Sequence, residues 1–172
     1  MKKYIHIVVF IFVLFCQTAF AEEQQEEIIY YDVFAHQEEA SNVLLGWGGG
    51  SVIAGAVMLG SDNSFTRSMG IQNIAWGGID AALALWLKSV LSERRLNNDP
   101  EEGRKWFRDI MAFNFFLDIA YIAAGFVLTL AGEENIKGHG AGIITQGIFL
   151  MAFDGINYIV GAELEKRFPD KE

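Results

Sequence analysis

Residues 72–86 read QNIAWGGIDAALALW and residues 146–160 read QGIFLMAFDGINYIV. Each is an apolar run that opens on glutamine and carries an aspartate eight residues later, Gln72 with Asp80 and Gln146 with Asp154. Each also follows another apolar stretch that closes on glycine, Gly60 in one half and Gly132 in the other. A pattern met twice at a fixed interval marks a structural unit used twice. The spacing predicts two helix–loop–helix units, with carboxylates where apolar helices do not tolerate them without a reason.

Four apolar runs cover 43–60, 68–87, 106–131 and 141–162. Each is apolar around most of its circumference and long enough for a hydrocarbon layer of about 30 Å. The chain is 52% hydrophobic and holds 18 glycines against 2 prolines, a balance familiar in membrane helices, where glycine lets backbones approach closely. In the first run Gly46, Gly50 and Ala54 recur at every fourth residue, as do Ser51 and Gly55. These small residues are expected to pave a helix-packing face. The hydrophilic connector 88–105, broken at Asn97-Asn98-Asp99-Pro100, separates the halves. The expected fold is all-α: a transmembrane four-helix bundle over 43–165, built from two duplicated helical hairpins, with a polar tail at 166–172.

Met1-Lys2-Lys3, an apolar core at 5–15 and Ala19-Phe20-Ala21 describe a secretory signal peptide over 1–21. Residues 22–42 follow as an acidic tail and a short amphipathic segment. The one cysteine, Cys16, lies inside the leader, so a mature chain would have neither disulfide nor thiol chemistry. A net charge of −9 without a basic stripe argues against nucleic acid as a partner. His6, His36 and His139 are scattered, with no metal-ligand spacing and nothing that implies a cofactor. His139, between glycines, reads as a solvated loop residue.

Orientation raises a conflict. A cleaved leader puts Glu22 outside, and four spans then translocate Lys88, Arg94, Arg95, Arg104, Lys105, Lys166, Arg167 and Lys171. Only Arg67 and Lys137 would face the cytoplasm, the reverse of the usual bias. The expected location is the cell envelope, at the inner membrane, with the periplasm as the alternative.

The candidate interior site consists of Asp80, Asp118 and Asp154, with Gln72, Asn73, Asn114, Tyr121, Gln146 and Asn157 as possible polar partners. Asn73 and Asp80 share a helix face; so do Asn114, Asp118, Tyr121 and Gly125, and so do Gly142, Gln146, Leu150, Asp154, Asn157 and Gly161. A charged carboxylate at the centre of a membrane helix costs on the order of 3 kcal/mol, so each must face the interior, be protonated or be paired. No serine-hydrolase, zinc-protease or phosphate-loop motif is present, and no enzyme is expected. Three functions compete: a non-enzymatic membrane protein whose polar interior fixes its structure, a proton- or cation-handling protein using the aspartates, and a secreted periplasmic bundle that binds an apolar ligand. The partners expected are membrane lipid and either a second copy or another membrane protein.

The segments GWGGGSVIAG, IQNIAWGGIDAALA, FNFFLDIAYIAAGFVL and GAGIITQGIFLMAFDGINYIV, in that order, resemble a family of uncharacterised bacterial proteins. The residues that carry the resemblance are Gly46 and Trp47, Gln72 and Asn73, Asn114, Asp118 and Tyr121, then Gln146, Gly147, Phe153 and Asp154. The resemblance implies four membrane helices and assigns no activity.

Overall fold

The computed structural model describes residues 33–97 and 100–167; the leader expected at 1–21 lies outside them, as do the acidic residues up to 32. The described residues form four helices and no strand: α1 Val33–Leu59, α2 Ser64–Asn97, α3 Pro100–Ala131 and α4 Glu134–Arg167. All four are long and apolar enough to cross a membrane. Their ends follow local chemistry. The Asn63 side chain accepts from the Thr66 amide at 3.0 Å and so caps α2, while Pro100 opens α3 where its missing N–H is not needed. Arg94 and Arg95 close α2 at the negative end of its dipole. α1 begins at Val33, well before the apolar run at Val43, and α2 continues past Leu87 to Asn97. Hydropathy marks the membrane-length part of a helix, whereas helix formation continues through polar residues of good propensity.

α1 lies along α2, α3 along α4, and the two hairpins meet mainly where α2 runs beside α4. Contacts of Gly138 with Phe65, Gly142 with Gln72 and Gln146 with Asn73 advance together, so α2 and α4 are parallel. Within the first hairpin, a Cβ on Gly48 would stand 2.6 Å from the Gly77 carbonyl oxygen, and one on Gly55 2.6 Å from that of Gly70. Only glycine permits this approach. In the second hairpin a Cβ on Gly140 would stand 2.6 Å from the Gly125 carbonyl, and Gly147 packs against Ile122 and Asp118.

These contacts share one register. Gly55 and Gly125, Gly70 and Gly140, Ile74 and Ile144, and Gly77 and Gly147 occupy matching places, and each pair is 70 residues apart. The glutamine–aspartate pairs are 74 apart, about one helical turn out of that register. They correspond instead to the pairing of α2 with α4, in which Asn73 meets Gln146 across 73 residues of sequence.

Of the five small residues expected to form packing faces, Ser51 and Gly55 do so within the chain, Ser51 against Gly77 and Gly55 against Gly70. Gly46 and Gly50 have open space around them and Ala54 is exposed. The buried stripe of α1 is Gln37, Ser41, Leu44, Gly48, Ser51 and Gly55, spaced alternately four and three. That alternation follows the seam of helices crossing at a shallow left-handed angle, whereas a strict spacing of four drifts off it.

The bundle places polar groups inside and apolar groups outside. Gln37, Ser41, Ser51, Ser68, Asn73, Asp80, Asp118, Gln146, Asp154 and Asn157 are buried, while Val57, Phe116 and Leu130 are 75%, 69% and 85% exposed.

Candidate functional site

The buried polar side chains form two layers. The layer nearer the helical turns consists of neutral groups. Gln146 of α4 accepts a hydrogen bond from Trp47 Nε1 at 2.7 Å and donates through Nε2 to Ser51 Oγ at 3.1 Å and Asn73 Oδ1 at 2.7 Å. Asn73 in turn donates to the Met69 carbonyl at 3.2 Å. The Gln146 carboxamide thus uses its oxygen and both N–H groups, and a buried polar group satisfied in this way is a structural asset. Gln72 extends the layer toward the turns, its Nε2 lying 3.0 Å from His139 Nδ1. His139 therefore stands within α4, half-buried and bonded, and not in a solvated loop: the turn is confined to the residues between Ala131 and Glu134.

The second layer is acidic. Asp80 of α2, Asp118 of α3 and Asp154 of α4 are 2%, 3% and 3% exposed. The Asp118 and Asp154 carboxyl groups lie within hydrogen-bonding reach of each other, and Asp80 is close enough to interact with both. Among the described residues no basic side chain forms an ion pair with any of the three. Asp80 Oδ2 and Asp118 Oδ2 are buried without a hydrogen-bond partner. Asp80 stands near the middle of α2, about 24 Å of helix from either end.

Two carboxylates facing each other repel; a hydrogen bond between two carboxyl groups needs one proton between them. Such an arrangement can hold a proton and exchange it. Among the described residues no group of three or more His, Cys, Asp and Glu side chains is placed to hold a metal ion.

The remaining expected partners are divided. Asn114 is half-buried on the stripe of Asp118. Tyr121, 37% exposed, meets Trp76 edge-on with ring centroids 5.0 Å apart. Asn157, one turn beyond Asp154, donates to the Phe153 carbonyl at 2.7 Å, and the His36 ring of α1 meets Phe107 of α3 edge-on with ring centroids 5.9 Å apart. His36 had no place among the candidates drawn from sequence. The signal was available in the four–three stripe of α1, which runs through the adjacent Gln37.

Fold and site together define a class: an α-helical bundle of four membrane-length helices with a satisfied amide layer and an uncompensated carboxyl layer. The chain belongs to a family of unknown function, DUF6992, whose model matches residues 43–155. The matched span includes all three aspartates and Gln146, and stops short of His36 and Asn157 on either side. No curated protein and no solved structure matches the chain.

Proposed function

We propose that this chain is a non-enzymatic integral membrane protein whose carboxyl layer binds and exchanges a proton. The observation that carries the reading is the meeting of Asp118 with Asp154, beside Asp80, without a compensating cation. The amide layer around Gln146, whose carboxamide has both N–H groups and its oxygen engaged, holds the helices in register. The apolar exterior supports membrane insertion, because in water it would leave large side chains exposed along every helix. Trp86 and Trp106, with ring centroids 6.3 Å apart, suit an interfacial belt at the connector end, where Arg94 lies 4.4 Å over the Trp106 ring.

Lys88, Arg94, Arg95, Arg104, Lys105, Lys166 and Arg167 cluster toward that end of the bundle, against Arg67 and Lys137 at the turns. The charge bias favours a cytoplasmic connector, an orientation that a leader cleaved after Ala21 would not produce. Reporter fusions after Glu102 and Glu172 read the side directly. The common 70-residue register favours an internal duplication of one hairpin. The outward face of Gly46, Gly50 and Ala54 suits a contact with a second copy or another membrane helix.

The test is infrared difference spectroscopy on the full chain reconstituted in lipid vesicles, in light and heavy water. A carboxylic-acid carbonyl band that shifts on deuteration and disappears in Asp118→Asn is the expected result. A spectrum without such a band, or with one that survives Asp80→Asn, Asp118→Asn and Asp154→Asn, overturns the reading. A secreted bundle binding an apolar ligand would stay soluble without detergent, which these exposed faces argue against.

A further inference from the structure

We propose that the seam between α1 and α2, at the connector end, binds one anionic phospholipid whose phosphodiester is held by Lys88 and Arg95. This rests on the reading of the chain as membrane-spanning and does not depend on the carboxyl layer. Spacing brings both cations to one place. Lys88, Ser92 and Arg95 follow one another by four and three residues, on one face of α2. Glu38 and Asn42 stand four residues apart on α1. Asn42 Oδ1 accepts a hydrogen bond from Lys88 Nζ, and Glu38 Oε2 lies 3.4 Å from Arg95 Nη2, so each pair reaches across the seam. A cavity of about 310 Å³ lies there, lined by Glu38, Lys88, Leu91, Ser92, Arg95 and Leu96. That is the lower end of the volume that small-ligand pockets occupy.

The charge in the cavity is unbalanced. Lys88 meets a neutral carboxamide and forms no ion pair with a described residue. An ammonium group has three N–H donors, and Asn42 takes one of them. Glu38 offsets one of the two cations, which leaves one positive charge beside the cavity. A headgroup with a single phosphodiester charge balances it. A zwitterionic headgroup does not.

Depth agrees with such a ligand. Arg67 and Lys88 are 21 residues apart on α2, about 31 Å of helix, close to the hydrocarbon thickness of about 30 Å. Lys88 therefore stands where hydrocarbon gives way to headgroups, with Ser92 and Arg95 farther out. Toward the membrane centre the same sides of the two helices continue through Leu45 to Gly49 on α1, and through Leu85 and Ala81 to Gly78 on α2. Leu85 is 57% exposed, and Gly49 and Gly78 each have open space where a side chain would stand. The seam thus leaves room for an acyl chain beneath the headgroup.

In the experiment the full chain is reconstituted in bilayers of equal parts phosphatidylglycerol and phosphatidylcholine and extracted in mild detergent. Native mass spectrometry then reads the lipid it carries. The expected result is one retained phosphatidylglycerol, favoured about five-fold over phosphatidylcholine, as one unbalanced cation at a membrane surface implies. Lys88→Gln is expected to bring the ratio close to parity. Ser92→Trp fills the cavity with both cations in place, is expected to do the same, and serves if Lys88→Gln does not reconstitute. Arg67→Gln, at the turns, is expected to leave the ratio unchanged. Equal retention of the two lipids by the wild type overturns the proposal, as does a preference that survives both Lys88→Gln and Ser92→Trp, or one lost equally in Arg67→Gln. Inorganic phosphate is expected to raise the unfolding temperature of the delipidated chain less than phosphatidylglycerol at equal concentration. An equal rise assigns the cavity to a free anion and overturns the lipid. A chain that stays soluble without detergent is a different result and falls on the membrane reading itself.

Discussion

The first hairpin closes on glycine at both of its crossings, Gly55 with Gly70 and Gly48 with Gly77. The second repeats the upper crossing with Gly125 and Gly140, but at the lower one Asp118 stands where the first hairpin has Gly48, 70 residues earlier. Backbone touches backbone in one hairpin; in the other a carboxyl group is directed at the centre of the bundle. The polar site thus lies where the likeness between the hairpins fails. A scaffold held by glycine contacts can accept a carboxylate at one of them because the neighbouring hairpin supplies Asp80 and not a lipid tail.

The comparison is open to direct attack. Gly77→Ala should cost about 2–3 kcal/mol, since the new Cβ would meet the Gly48 carbonyl oxygen at 2.6 Å and neither backbone can yield cheaply. Gly147→Ala, its counterpart, should cost about 1 kcal/mol or less, because the atom met at 2.8 Å belongs to the flexible Ile122 side chain and the Asp118 carbonyl is 3.5 Å away. Equilibrium unfolding of both variants in mixed micelles measures the difference, and equal losses would remove the distinction between the hairpins.

Gln146→Leu comes next, at about 1–3 kcal/mol, because Trp47 Nε1 and Asn73 Oδ1 lose their shared partner in a buried site. The same unfolding assay reads it, and indole fluorescence should report the freed Trp47. Asp118→Gly restores the residue of the first hairpin. It should change stability by under about 1 kcal/mol, in the range of single polar contacts between membrane helices, while abolishing the carboxylic-acid signal. A large loss of stability would make Asp118 a structural residue. Gly46→Ala and Gly50→Ala should have the smallest effect, within about 0.5 kcal/mol for the isolated chain, as both positions are open. A loss of oligomers in crosslinking, with the monomer unharmed, would identify that face as a contact between copies.

Four helices and the buried face of α4, from Gly142 through Gln146 and Asp154 to Gly161, were legible because apolar length and residue spacing are local properties. The burial of Asp80, Asp118 and Asp154 was legible for a similar reason, since hydrocarbon tolerates such groups poorly. The register between the hairpins was not. Polar residues draw the eye to an interval of 74, whereas the backbone contacts follow glycines at 70, and the two differ by a turn that only the crossing geometry resolves. Partner choice was hidden for a related reason. Tyr121 and Asn157 each lie three residues from an aspartate, yet Tyr121 meets Trp76 on another helix and Asn157 bonds the Phe153 carbonyl of its own. The packing stripe of α1 was legible in principle but was obscured by a denser run of glycines on the outward side.

The hydrogen bonds of Gln146 also bear on how the molecule is put together. Trp47, Ser51 and Asn73 all belong to the first hairpin, and Gln146 to the second, so one carboxamide joins the halves. A hairpin inserted alone would show lipid an unanswered amide, a mark by which a cell can recognise an orphan. Two separately translated halves, divided between Asn97 and Pro100, should accordingly find each other in the membrane and survive together, while either half made alone is degraded.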